Sequence, residues 1–452
     1  MPLSRRRFLL ASGVTGAAAV AAGAGAVSWD VLHDAATRRP LAAGTGILVI
    51  VTLYGGNDGL DTVVPIEDPA YRTARGDLAA AAQDVHPLAD GLALAPALSG
   101  LAGLWNAGRL AVVSGVGYPD PDHSHFRSMA IWQSASPRTA STSGWIGRWL
   151  DATATRAGSS GGDPLLALAI GPTLPPLLVG EHAVGAAVPT GQFAAPDGRA
   201  GELLRTLYRP DPADSPLRAR VARSGADMFT VAGALGPVLA DAPERAAGTS
   251  GQLEGAAPGG DDAASAASAA SAASAASGGA GGAGAAGDDG GDGGELGVQL
   301  DLVARAIAAG VPTRVYSVSL GGFDTHAAES GTHARLLGEL DAALTRFDRA
   351  LAADPRAGAV TTMVYSEFGR RVVPNASGGT DHGTAGPVLI LGHPVRGGCF
   401  GEQPSLTALD DGDLRVTTDF RSVYATLLEG VLGTEADVVL GSDARLPRLA
   451  FL

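Results

Sequence analysis

Six short runs of apolar and β-branched residues constrain this 452-residue chain more than anything else in it: 46–54 (GILVIVTLY), 110–116 (LAVVSGV), 165–170, 313–320 (TRVYSVSL), 360–365 (VTTMVY) and 387–391 (PVLIL). Several are apolar almost throughout, where a strand with one wet face would alternate. Runs of this kind form strands covered on both faces, the condition of a parallel sheet between layers of helix. Helical patterns lie between them. Segment 94–107 leads into the second run and 296–309 into the fourth; 420–431 closes the fold. Segment 332–353 carries Leu336, Leu337, Leu340, Leu344, Phe347 and Leu351 on a 3.6-residue stripe. The alternation predicts an α/β three-layer sandwich with a mostly parallel central sheet.

Two segments stand outside this pattern. Residues 245–295 contain a tandem Ala-Ala-Ser repeat followed by Gly, Ala and Asp. With no apolar face to bury, such a segment cannot offset the entropy of ordering, which predicts a flexible insertion within one domain rather than a linker between two. At the start, Ser4-Arg5-Arg6-Arg7-Phe8-Leu9-Leu10 precedes a weakly apolar stretch and the small-residue site Ala24-Gly25-Ala26. Charge, apolar run and cleavage site come in the order of a twin-arginine export signal at 1–26, with the domain at 27–452. The translocase of that pathway is then a transient partner, the location extracytoplasmic (secreted or held in the envelope), and no permanent transmembrane helix is expected.

Composition removes several classes of function. All 32 basic residues are arginine, so P-loop, Schiff-base and kinase-type lysines are absent. A net charge of −14 argues against nucleic acid as a partner. A single cysteine, Cys399, rules out an intramolecular disulfide and a cysteine-based zinc site. Neither a Gly-x-Ser-x-Gly elbow nor a dinucleotide fingerprint is present.

Four polar motifs follow strands or sit in the loops after them, where open α/β sheets bind ligands. Gly55-Gly56-Asn57-Asp58-Gly59-Leu60-Asp61 follows the first run, and its Asn57 and Asp58 offer amide and carboxylate oxygens. In Asp120-Pro121-Asp122-His123-Ser124-His125-Phe126-Arg127, two histidines flank a serine. That loop can hold an activated hydroxyl, a metal ligand or an oxyanion-binding arginine, or can simply cap a helix. Gly321-Gly322-Phe323-Asp324-Thr325-His326 places an acid and an imidazole two apart, a pairing suited to a divalent ion. His333, seven residues on, reads as helix surface. Ser366-Glu367-Phe368-Gly369-Arg370 precedes Gly379-Thr380-Asp381-His382-Gly383, with Glu367 as ligand or orienter and Arg370 as an anion-binding group.

Taken together, LYGGNDGLDTVVP, HSHF, GWIGRWL, GGFDTH, YSEFGRR and GTDHG resemble the bacterial domain-of-unknown-function family numbered 1501. The resemblance covers nearly all of the chain outside 245–295, and it implies an alkaline phosphatase- or sulfatase-like fold. Members of that superfamily cleave phosphate or sulfate esters with one or two divalent metals and a Ser, Thr or formylglycine nucleophile. Asp58 is similar to the superfamily's first-strand metal carboxylate, and Asp381-His382 to its Asp-His pair. Asp324 and His326 resemble its Asp-x-x-x-His pair at shorter spacing. Ser124 is the best-placed nucleophile, outside any sulfatase-type Cys/Ser-x-Pro-x-Arg sequence.

The expectation is therefore an exported, metal-dependent hydrolase of phosphate or sulfate esters. Metal ligation falls to Asp58, Asp324, His326, Glu367, Asp381 and His382. Ser124, His125, Arg127 and Arg370 are the catalytic candidates. The cofactor is one or two divalent ions (zinc, manganese or calcium), and the substrate an anionic small-molecule or glycan ester. Two alternatives remain: a non-catalytic extracytoplasmic binding protein on the same fold, and a metal-free serine hydrolase using Ser124.

Overall fold

The computed structural model describes residues 29–139, 141–158, 162–190, 293–441 and 446–452. The export signal expected at 1–26 lies outside the described residues, as does the insertion up to 292. Its expected end at 295 is shifted: Gly294 and Glu295 already belong to the helix Gly294–Ala308.

The described residues form twelve strands: β1 (Ile47–Leu53), β2 (Val63–Val64), β3 (His86–Pro87), β4 (Ala93–Leu94), β5 (Leu110–Gly117), β6 (Ala167–Ile170), β7 (Ala186–Val188), β8 (Val315–Leu320), β9 (Val360–Ser366), β10 (Gly386–Gly392), β11 (Gly398–Phe400) and β12 (Thr418–Asp419). Nine of them build one sheet in the order β11-β5-β10-β9-β1-β8-β6-β7, with β12 pairing β5 as well, and β2-β4-β3 form a small second sheet. Every predicted run is a strand. The short strands β7, β11 and β12 and the whole small sheet escaped the sequence reading, because two or three residues carry no readable period. Segment 94–107 is only partly helical. Ala93–Leu94 is a strand, Pro96 follows, and the helix spans Ser99–Asn106. A proline disfavours helical geometry in the residue before it.

Pairing in the main sheet is parallel except at β10, which runs antiparallel to both β5 and β9. All seven residues of β1 are buried. Ile47, Val49, Val51 and Leu53 face a core completed by Leu300, Val303, Leu336, Leu340 and Phe347. Leu48 and Ile50 face the opposite core, with Trp132, Trp145, Trp149 and Tyr424. Fully burying one such aliphatic side chain contributes about 1.5–3 kcal/mol, so the central strands tie both helix layers to one sheet. This is the α/β sandwich that the apolar runs predict. No helix among the described residues is long and apolar enough to cross a membrane.

Register places the functional loops. Leu53 pairs with Leu320 on one side and with Ser366 on the other. The chain therefore leaves β1, β8 and β9 at the same level. Because β10 runs the other way, the segment entering it, with Asp381 and His382, lies at that same rim.

Candidate metal centre

Three imidazoles converge at this rim, and each is held at Nδ1. His125 is the first residue of the helix His125–Ser134, and its Nδ1 lies 2.8 Å from Glu367 Oε1. His326 Nδ1 lies 3.2 Å from Asp381 Oδ1. His382 Nδ1 lies 2.7 Å from the carbonyl oxygen of His123. An acceptor at Nδ1 draws the ring proton to that side and leaves Nε2 with a lone pair in the neutral imidazole.

All three Nε2 atoms then face one oxygen, Asp324 Oδ1, at 3.4 Å for His125, 3.0 Å for His326 and 3.1 Å for His382. The Nε2 atoms of His326 and His382 are 2.9 Å apart. Two lone pairs at that distance repel, so the cluster calls for positive charge at its centre, as ring protons or as a metal cation. His125 Nε2 is buried without a hydrogen-bond partner, and donor atoms of His125, Asp324 and His382 lie within 4.8 Å of one another. Two imidazole nitrogens and a carboxylate oxygen suit a borderline divalent ion such as zinc, with His326 standing beside the group against Asp324 and His382, so the residues present fit the implied metal.

The electrostatics agree. Partial burial would raise the Asp324 carboxyl, but the His125 and His382 rings and the Arg370 guanidinium against it outweigh that and hold the group far below the usual carboxylate range. Burial would lower His125, yet the carboxylates of Asp324 and Glu367 lift it to about 9. Asn375 and His326 hold Asp381 low. Glu367 is buried, and its Oε1 also accepts the Gly55 backbone N–H at 2.9 Å. Gly55 has φ +117°, and a Cβ there would lie 2.5 Å from Asp324 N. Only glycine lets the loop after β1 press so closely on the loop after β8.

The other expected site residues divide. Arg370 is buried at the centre, donating to Asp324 Oδ1 at 2.8 Å and to the carbonyls of Gly55, Gly56, Phe323 and Thr380. It clamps three loops together and does not face solvent. Arg127 points outward and pairs with Asp122 Oδ2 at 3.1 Å. Ser124 is exposed at the start of the helix, and its side chain makes no capping bond. Asp58 is not brought to Asp324. Its Oδ1 caps the short helix Gly59–Thr62 through Leu60 N and Asp61 N, and its Oδ2 accepts from Arg75 at 2.6 Å. His333, expected on the helix surface, is buried. Of its neighbours, Asp61 closes the first polar motif, while Arg75 and Glu329 went unremarked in the sequence. The Glu329–His333 spacing of one helical turn was the signal that could have drawn attention to them.

The class defined by fold and rim is a mostly parallel α/β sandwich with a histidine–carboxylate cluster at its strand ends. Residues 243–446 match the model of the family described as "Protein of unknown function (DUF1501)". The family that the motifs resemble is thus the one matched over the C-terminal part of the chain. No curated protein matches. Among solved structures, the chain is similar to a protein in the alkaline phosphatase superfamily from Vibrio parahaemolyticus, at 10% identity over 95% of this chain and 81% of that one, with a TM-score of 0.40. It is also similar to Ps i-CgsB, at 9% identity over 89% and 77% with a TM-score of 0.36. A third is the lipoteichoic acid synthase LtaP from Listeria monocytogenes, at 10% identity over 94% and 79% with a TM-score of 0.34.

Proposed function

We propose that this protein is an exported, metal-dependent hydrolase of phosphate or sulfate esters carried on anionic small molecules or glycans. One observation carries the reading: three imidazoles, each held at Nδ1 by an acceptor, turn Nε2 toward a single carboxylate oxygen at an open rim. His125, Asp324, His326 and His382 would hold the ion, while Glu367, Asp381 and the His123 carbonyl orient the rings. A bound divalent ion supplies Lewis-acid polarisation of an ester oxygen and lowers the pKa of a water. About half of the Asp324 side chain is exposed, so substrate can approach it. Ser124, exposed beside His125, is the nucleophile candidate. The twin-arginine leader motivates export.

The experiment is metal analysis of purified protein, with aryl phosphate and aryl sulfate esters assayed before and after chelation. Bound zinc or manganese, and hydrolysis that chelation removes and metal restores, is the expected result. Protein that takes up no divalent ion at the rim overturns the reading. A second reading, a non-catalytic binding protein, is favoured by the burial of Arg370, since the arginine expected to grip the anion faces inward. Metal bound at the rim with no turnover of either ester class would select it.

A further inference from the structure

A second group of ionisable residues lies behind the rim and has no part in the proposed chemistry. The short helix after β1 contributes Asp61. The helix Glu329–Leu351 contributes Glu329 and His333, one turn apart and so on one face. Its first turn is set by Ala328 in a left-handed conformation (φ 46°) and by a hydrogen bond from Glu329 N to Gly378 O, and the Glu329 side chain is buried. One donor atom each from Asp61, Glu329 and His333 lies within 4.8 Å of the others.

The polar accounting of this pocket does not close. Thr380 Oγ1 donates to Glu329 Oε2 at 2.7 Å, while Glu329 Oε1, fully buried, has no partner. Asp58 and Asp61 share one cation, Arg75, whose Nη2 stands 2.6 Å from Asp58 Oδ2 and 3.1 Å from Asp61 Oδ1. Three ionised carboxylates against one guanidinium would leave two uncompensated negative charges in a buried space, a costly arrangement. A hydrogen bond from His333 Nε2 to Asn57 Oδ1, 3.0 Å away, leaves Nδ1 as the ring's free electron-pair donor.

We propose that Asp61, Glu329 and His333 form a second, buried site for one divalent cation, of the zinc or manganese type. The charge of such an ion equals the deficit of the pocket, and two carboxylates with one imidazole suit it chemically.

The test titrates metal-stripped full-length protein with Co²⁺, followed by visible absorption, with zinc content measured in parallel. Wild type takes up two equivalents. Glu329→Gln loses one and keeps the rim ion. Because Glu329 is buried, that variant can also lose its fold, so the decisive protein is the reverse one. His326→Ala/His382→Ala keeps the buried group intact, retains one equivalent and gains thermal stability when the ion is added. The proposal is overturned if this variant binds no ion, which is the result for a pocket filled by protons. It is overturned equally if folded Glu329→Gln binds as many ions as wild type. A wild type that binds a single ion, lost in Glu329→Gln and kept in the reverse variant, would instead remove the rim centre and leave the buried one.

Discussion

Glu367 uses a single oxygen twice: Oε1 takes both the Gly55 N–H and the His125 ring, while Oε2 receives the Ser366 hydroxyl at 3.0 Å. Its carboxylate fixes which nitrogen of His125 carries the proton, and hence which nitrogen faces Asp324. Partners of this outer kind typically change metal affinity by about 10- to 100-fold. Glu367→Gln is therefore expected to weaken Co²⁺ or zinc binding by roughly that factor while the circular dichroism spectrum stays native. Unchanged affinity would mean that the ring needs no such guide. Ser124 has a different role in the proposal, since it touches none of the three imidazoles through a hydrogen bond. Ser124→Ala should keep the full metal content and lose turnover of aryl esters. Retained turnover would transfer the nucleophile's part to water.

The helices are held to the sheet by contacts across long stretches of sequence, and one of them borrows its cap. The helix Ser99–Asn106 starts after Leu98, which offers no side-chain acceptor. Asp341, from the helix Glu329–Leu351, supplies both oxygens instead, taking Gly100 N at 2.9 Å and Leu101 N at 2.7 Å. A Cβ at Gly100 would collide with Thr345 Oγ1 at 2.1 Å, so the close approach depends on glycine there. Asp341→Ala strands these two N–H groups in a packed interface. Each buried, unsatisfied donor costs about 1–3 kcal/mol, so urea or thermal unfolding should register a clear loss of stability with metal content unchanged. A loss below about 0.5 kcal/mol, the range of ordinary surface substitutions, would show that water replaces the cap.

On the scale of the whole molecule, an ion held as proposed by the helix His125–Ser134, the loop after β8 and the segment entering β10 would link parts of the chain that unfold together. A ligand that binds only the native state adds stability of about 2.7 kcal/mol at a concentration 100 times its Kd. Added zinc or manganese should accordingly raise the melting temperature of metal-stripped protein, chelation should reverse the rise, and His326→Ala/His382→Ala should show a smaller one. Equal shifts in wild type and variant would place the stabilising ion away from the rim. The sequence by itself determined the six longer strands of the main sheet, because a run apolar at nearly every position can only be buried on both faces. It determined too that acid and imidazole motifs punctuate the strand ends. Tertiary structure decided which of those groups meet. His125 reaches Glu367 across 242 residues, and Arg370 reaches Gly55 across 315. The first is turned toward the cluster and the second is buried as a clamp. Asp58, in a motif that looked like a rim carboxylate, instead finds Arg75. Local pattern records how a segment is covered, whereas the direction of β10 and the neighbours of each charged group depend on how distant segments pack.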